Sequence, residues 1–180
     1  MPRIRWKAKG WVVVCLFFVT HSVVFSASQD SVSAGVKQLR HAIGAWDVVT
    51  DFLNADGTVA QSVKGAYTFE WVVEDRVVQG KSNVPSLNRS AGILFYVNEK
   101  KKNIEMVSVG MDGNLWVMTG PIDGETRTTP PTVMSDGSTM QLRFTRYNIE
   151  ANRFESKMER TTDGGATWLP GNHQVFVRKS

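Results

Sequence analysis

One dipeptide punctuates this chain and limits what it can fold into. Asp-Gly occurs at Asp56-Gly57, Asp112-Gly113, Asp123-Gly124, Asp136-Gly137 and Asp163-Gly164, mostly between runs in which apolar and polar residues alternate. Glycine takes a positive φ without a Cβ clash and aspartate tolerates one, so the pair favours tight hairpin turns. The run "AWDVVTDFL" puts Trp46, Val48, Thr50 and Phe52 on one face, and "GAYTFEWVV" does the same for Tyr67, Phe69, Trp71 and Val73. The stretches "GILFYV", "IEMVSVGM", "NLWVMTG", "MQLRFTRY", "RFESKMERT" and "HQVFVRK" read as further strands. Hairpins in series without helical crossovers form an antiparallel sheet, and about ten strands curl and close so that no edge is left exposed. The expected fold is therefore all-β, an antiparallel up-and-down barrel of about ten strands. A short helix precedes it, with Val36, Leu39 and Ile43 on one face and Gly44 as its stop. The segment from Thr126 to Ser138, broken by Pro130 and Pro131, is expected to be a loop at one mouth of the barrel.

The first 28 residues read as a separate element. Arg3, Arg5, Lys7 and Lys9 precede the apolar run "WVVVCLFFVTHSVVF", and the small residues "SAS" follow it. Basic, apolar and small-residue regions in that order make a secretory signal, here expected at 1–28, with the barrel domain at 29–180. The apolar run is short for a membrane span. The product is expected to be secreted or periplasmic, with no stable membrane insertion after cleavage. Cys15, the only cysteine, lies in the signal. The mature chain then has no disulfide, thiolate metal ligand or cysteine nucleophile. The formal charge of +4 also belongs to the signal, since four of the 21 basic residues and none of the 17 acids lie there. A balanced mature chain gives no support to a nucleic-acid partner.

The stretch "TTDGGATW", Thr161 to Trp168, resembles an Asp-box, a motif repeated blade after blade in sialidase-type propellers. One copy in a chain this short implies a local turn and no glycosidase activity. Asp163 is expected to accept bonds within the turn, with Trp168 packed over the hairpin.

A second resemblance follows from the ends of the barrel. "IGAWDVV" directly after the helix and "FVRKS" on the last strand are similar to the Gly-x-Trp and terminal Arg of calycin (lipocalin-like) barrels. The resemblance implies that Trp46 plugs the floor, that Arg178 stacks on its indole, and that Gly44 lets the chain turn into the first strand. The ordered set of "IGAWDV", "YTFEWVVEDRVVQG", "GILFY" and "FESKMERTTDGGATW" resembles bacterial lipocalin-like proteins of the DUF1579 kind. Asp75 stands where that family has a hairpin Gly, and Gly80 follows Gln79 where it tends to have Asp. That family implies a fold and no common activity. Nitrobindin-type haem barrels are also similar at the start, but Val48 replaces their second Gly, and His173 reads as a solvated strand residue. No haem or other cofactor is expected.

No catalytic motif is recognisable. His41 and His173 lack metal-ligand spacing, and no nucleophile elbow, zinc-protease motif or phosphate loop occurs. No catalytic or metal-binding residue is therefore expected. Glu70, Glu155, Lys157 and Glu159 fall on outward faces. The inward candidates are Tyr67, Phe69, Trp71, Phe95, Met106, Trp116, Phe144 and Met158, with Gln79 and Ser108 as directional polar groups. Leu115 and Val117 offer an alternative inward face to Trp116. Aromatic and methionine side chains around a few polar groups suit a small, mostly apolar ligand. The same residues also suit a packed interior. Three functions follow: a non-catalytic binding barrel, which leads; an isomerase- or cyclase-type enzyme using the same cavity; and a structural or interaction protein of the cell envelope.

Overall fold

The computed structural model describes residues 34–134 and 136–180, so the expected signal at 1–28 lies outside the described residues. A helix, α1, covers 34–42. The strands are β1 Gly44–Leu53, β2 Val59–Val73, β3 Val77–Val84, β4 Arg89–Asn98, β5 Asn103–Gly110, β6 Leu115–Pro121, β7 Thr126–Thr128, β8 Thr132–Val133, β9 Thr139–Glu150, β10 Arg153–Thr161 and β11 Leu169–Arg178. Neighbours pair antiparallel in the order β10-β11-β1-β2-β3-β4-β5-β6-β7-β9, and β9 pairs with β10. That last ladder closes a ten-strand barrel. The short β8 lies beside the first residues of β9, outside the ring of ten.

The segment expected to be a loop, Thr126 to Ser138, is instead mostly an interrupted hairpin arm. β7 pairs with Thr145, Phe144 and Arg143, while β8 pairs with Met140 and Thr139. Between them the Thr129 N–H reaches the Leu142 carbonyl at 2.9 Å, and the Thr129 hydroxyl accepts the Leu142 N–H at 2.9 Å. Pro130 and Pro131 have no N–H to continue the ladder, so the arm breaks there and resumes.

Up-and-down connectivity sends successive turns to alternate ends. The turns at Asp56-Gly57, Asp112-Gly113, Asp136-Gly137 and Asp163-Gly164 all fall at the end opposite α1, and all four glycines have positive φ. Three of them share one device, in which the carboxylate accepts a bond from the backbone N–H two residues on, at Thr58, Asn114 and Ser138. In the fourth, Asp163 accepts from the Thr161 hydroxyl at 2.7 Å and the Thr167 N–H at 2.9 Å, while Arg143 stacks over Trp168 at 4.2 Å. Asp123-Gly124 sits at the other end, where Gln38 of α1 donates to the Ile122 and Gly124 carbonyls.

Helix α1 closes that end. Leu39 and Ala42 are buried in a cluster with Val78, Phe95, Val97, Ile104 and Ile122, and Ile43 packs against it. A Cβ on Gly35 would stand 2.7 Å from Ile122 Cγ1, so glycine there lets the helix seat directly on the β6–β7 turn. Arg40 pairs with Asp75 in the β2–β3 hairpin through two bonds of 2.7 and 2.5 Å. Asp75 has φ 56°, a position that favours glycine, and its carboxylate gives the helix a partner that glycine lacks.

Beside the helix, Trp46 is fully buried and packs on Phe154 and Phe176. Its indole Nε1 donates to the Ala42 carbonyl at 2.8 Å. Arg178, register partner of Trp46, lies 4.2 Å from the indole centroid. It donates to the Ile43 carbonyl at 2.5 Å and the His41 carbonyl at 3.0 Å, acceptors that a helix end leaves unsatisfied. Gly44, at φ 121°, brings the strand close beneath this guanidinium, where a Cβ would stand 2.5 Å from Nη1.

Candidate functional site

Above the closed end the barrel is not filled. An interior cavity of about 450 Å³ is continuous in its lining with a second lobe of about 510 Å³ at the open mouth, through shared residues such as Tyr67, Ser82, Ser108, Trp116 and Gln174. A broader depression of about 790 Å³ lies on the outer face of β3, β4 and β5, bounded by outward residues such as Glu70, Lys81 and Leu94. It is open to solvent and holds little apolar enclosure.

Most of the expected inner-face residues meet around the cavity. Tyr67 and Phe69 line it from β2, Phe95 from β4, and Met106 and Ser108 from β5. Trp116, Phe144 and Met158 do so from β6, β9 and β10. Trp116 and the buried Met118 share the inward parity of β6, which settles the choice against Leu115 and Val117. Tyr67 lies edge-on to Phe176 at 5.3 Å, and Phe154 stacks on Phe176 at 4.2 Å.

Two expected residues lie elsewhere. Gln79 belongs to the outer face: it is exposed, and its amide donates to Glu70 at 2.6 Å. The buried neighbours Val78 and Ser82 set the parity of β3, and a side chain next to Val78 in a pleated strand points the other way. Trp71 has inward parity but sits low on β2, opposite Val78, where it packs on the cluster under α1 rather than on the cavity.

The polar lining is richer than sequence reasoning suggested. The Gln174 amide donates to the Thr50 hydroxyl at 3.0 Å and the Tyr67 hydroxyl at 3.4 Å, and its carbonyl accepts from Ser156 at 3.2 Å. Asn172 Oδ1, in the next inward position of β11, is buried without a hydrogen-bond partner among the described residues. Strict alternation back from Arg178 would have placed Phe176, Gln174 and Asn172 inside.

The inner end of the cavity carries two arginines. Arg127 of β7 is 1% exposed and Arg146 of β9 is 6% exposed. Arg127 lies over the Phe95 ring at 4.9 Å and donates to Gln38 Oε1 at 2.6 Å. Arg146 lies over Phe154 at 4.6 Å, donates to His41 Nδ1 at 2.9 Å, and has a Glu125 oxygen 3.5 Å from its Nε. Because the Glu150 carbonyl accepts from His41 Nε2 at 2.8 Å while Nδ1 accepts from the Arg146 guanidinium, His41 is a neutral Nε2–H tautomer. Burial, followed by the nearby Arg146 and Arg178 charges, holds its pKa below the usual value. Burial and then repulsion from Arg146 pull Arg127 down to about 10, so it stays charged at neutral pH. Arg127 escaped sequence reasoning because it lies in the segment expected to be a loop. Arg146 did leave a signal: it follows Met140, Leu142 and Phe144 at the same parity.

On the outer face, His173 bonds to Glu155 at 2.9 Å and stands beside the Tyr147 ring. Among the described residues no group of three or more His, Cys, Asp or Glu is placed to hold a metal, and no helix is long and apolar enough to cross a membrane.

No protein-family model matches the chain, and no curated protein matches it. Among solved structures, the S-type phycobiliprotein lyase CPES from Guillardia theta aligns over 85% of this chain and 97% of its own, with 11% identity and a TM-score of 0.49.

Proposed function

We propose that this chain is an exported, non-catalytic lipocalin-like barrel that holds one small, mostly apolar molecule in its interior. The observation that carries this reading is the unfilled interior of about 450 Å³, walled by Phe69, Phe95, Met106, Trp116, Phe144 and Met158. That volume falls in the roughly 300–1,000 Å³ range of small-molecule pockets. The aromatic and methionine part of the wall is apolar and adaptable, and the polar groups among it, such as Ser108, Asn172 and Gln174, can orient a mostly hydrophobic guest. The basic head and apolar run ahead of residue 29 support export to the periplasm or medium. The ordered motifs from about Leu39 to Arg178 support a place beside the DUF1579-type proteins.

A naphthalene-based fluorescent probe tests the reading. It should bind saturably, with a stoichiometry of about one per barrel. Ser108 lines both lobes and pairs across the sheet with Trp116. Ser108→Trp should therefore abolish binding while the far-ultraviolet circular dichroism is unchanged. Absence of saturable binding to the wild-type protein overturns the proposal.

A further inference from the structure

We infer that the guest carries an anionic head, of the carboxylate class, and enters head first so that the head meets Arg127 and Arg146 at the inner end of the cavity. The inference rests on the binding function proposed above and names the chemistry of its ligand. The interior cavity is lined by Arg89, Arg127 and Arg146 and by no carboxylate. Two of these cations are almost fully removed from water. Burying a charge is costly unless it is paired and hydrogen-bonded. The pairing here is incomplete. Glu125 comes within ion-pair distance of Arg146 only, although its charge also reaches Arg127, and it borders the outer recess beside α1 rather than the cavity. The polar partner of Arg127 is the neutral Gln38 amide. The pair thus has one carboxylate for two guanidinium groups. Arg127 Nε and Arg146 Nε are both buried without a hydrogen bond among the described residues, and Arg146 Nε has only the Glu125 oxygen at 3.5 Å beside it.

The ring faces of Phe95 and Phe154 offset part of the charge but offer no lone pair. A carboxylate has lone pairs for several N–H donors and one negative charge, which supplies what the pair lacks. The apolar remainder of the guest would then extend past Phe69, Met106 and Trp116 toward the mouth. The class this selects is an aliphatic or aromatic monocarboxylic acid.

The test compares dansyl-undecanoic acid with its methyl ester, which keeps the tail and removes the charge. The acid should bind about tenfold or more tightly than the ester, the factor expected for hydrogen bonds to a charged group. Arg127→Met and Arg146→Met should each erase most of that difference and leave the ester's affinity unchanged. Equal affinity for acid and ester in the wild-type protein overturns the anionic head while leaving the binding cavity standing. Failure of both to bind overturns the binding function itself. A preference for the acid that survives in both variants overturns its assignment to these two arginines. Because the wild-type comparison uses no variant, it decides the anionic head even where a substitution prevents folding.

Discussion

Replacing Arg178 with alanine isolates the closure of the barrel floor. Its guanidinium bonds to Ile43 and His41 at 2.5 and 3.0 Å and to Ala151 at 3.4 Å, over the indole of Trp46. The two shorter bonds serve carbonyls at the helix end. With the arginine half-exposed, each is worth about 1 kcal/mol, and the 3.4 Å bond little. Stacking on the indole adds about 0.5–1 kcal/mol. Arg178→Ala should therefore cost roughly 2–3 kcal/mol, a fall in Tm of about 5–10 °C for a domain of this size. Urea unfolding followed by tryptophan fluorescence and by circular dichroism measures the loss. Combining it with Trp46→Leu in a double-mutant cycle should give a coupling of about 0.5–1 kcal/mol, because the two side chains share one contact. A loss under about 0.5 kcal/mol, as at an ordinary surface site, would refute the reasoning. Strict additivity would show that ring and guanidinium do not interact.

Two other perturbations probe separate parts of the fold. The Thr161 hydroxyl, followed by the Thr167 N–H, holds the Asp163 carboxyl down to about 2 from the usual 3.8. Its folded pKa lies below the unfolded one, so its stabilisation is present above about pH 4 and is lost as pH falls through about 2. Asp163→Asn should flatten the fall in Tm between those values, and thermal melts in a pH series measure it. Gly35→Leu would drive a side chain into Ile122, since even a Cβ stands 2.7 Å from its Cγ1. An overpacking cost of about 1–3 kcal/mol should show in urea unfolding.

Local rules made much of this architecture legible. Asp-Gly turns next to period-two runs located most hairpins, and four of the five turns have the positive-φ glycine that their chemistry requires. The same period placed Tyr67, Phe69, Met106 and Phe144 inside. Gln79 shows where that reading fails: the buried Val78 and Ser82 set the inward parity of β3, and Gln79 falls on the opposite one. Trp71 shows a different limit. Alternation assigns a face but not a depth along the strand, and depth decides whether a side chain meets the cavity or the cluster under α1. The arginine pair was hidden because Arg127 rides on an arm interrupted by two prolines, and it is the pairing of that arm with β9, Arg127 opposite Phe144, that brings it beside Arg146. Whether an apolar set packs solid or leaves a void depends on barrel circumference and on how far α1 intrudes, neither of which periodicity encodes.

Methionine methyl NMR tests directly whether a guest occupies the interior. Met106, Met118 and Met158 line the cavity, while Met134 lies outside near the β8–β9 turn. Titration of [methyl-13C]methionine-labelled protein with dansyl-undecanoic acid should shift the three interior methyl signals together, saturating at about one equivalent, and leave Met134 in place. Shifts confined to Met134, or no shift at any interior methyl, would contradict the account.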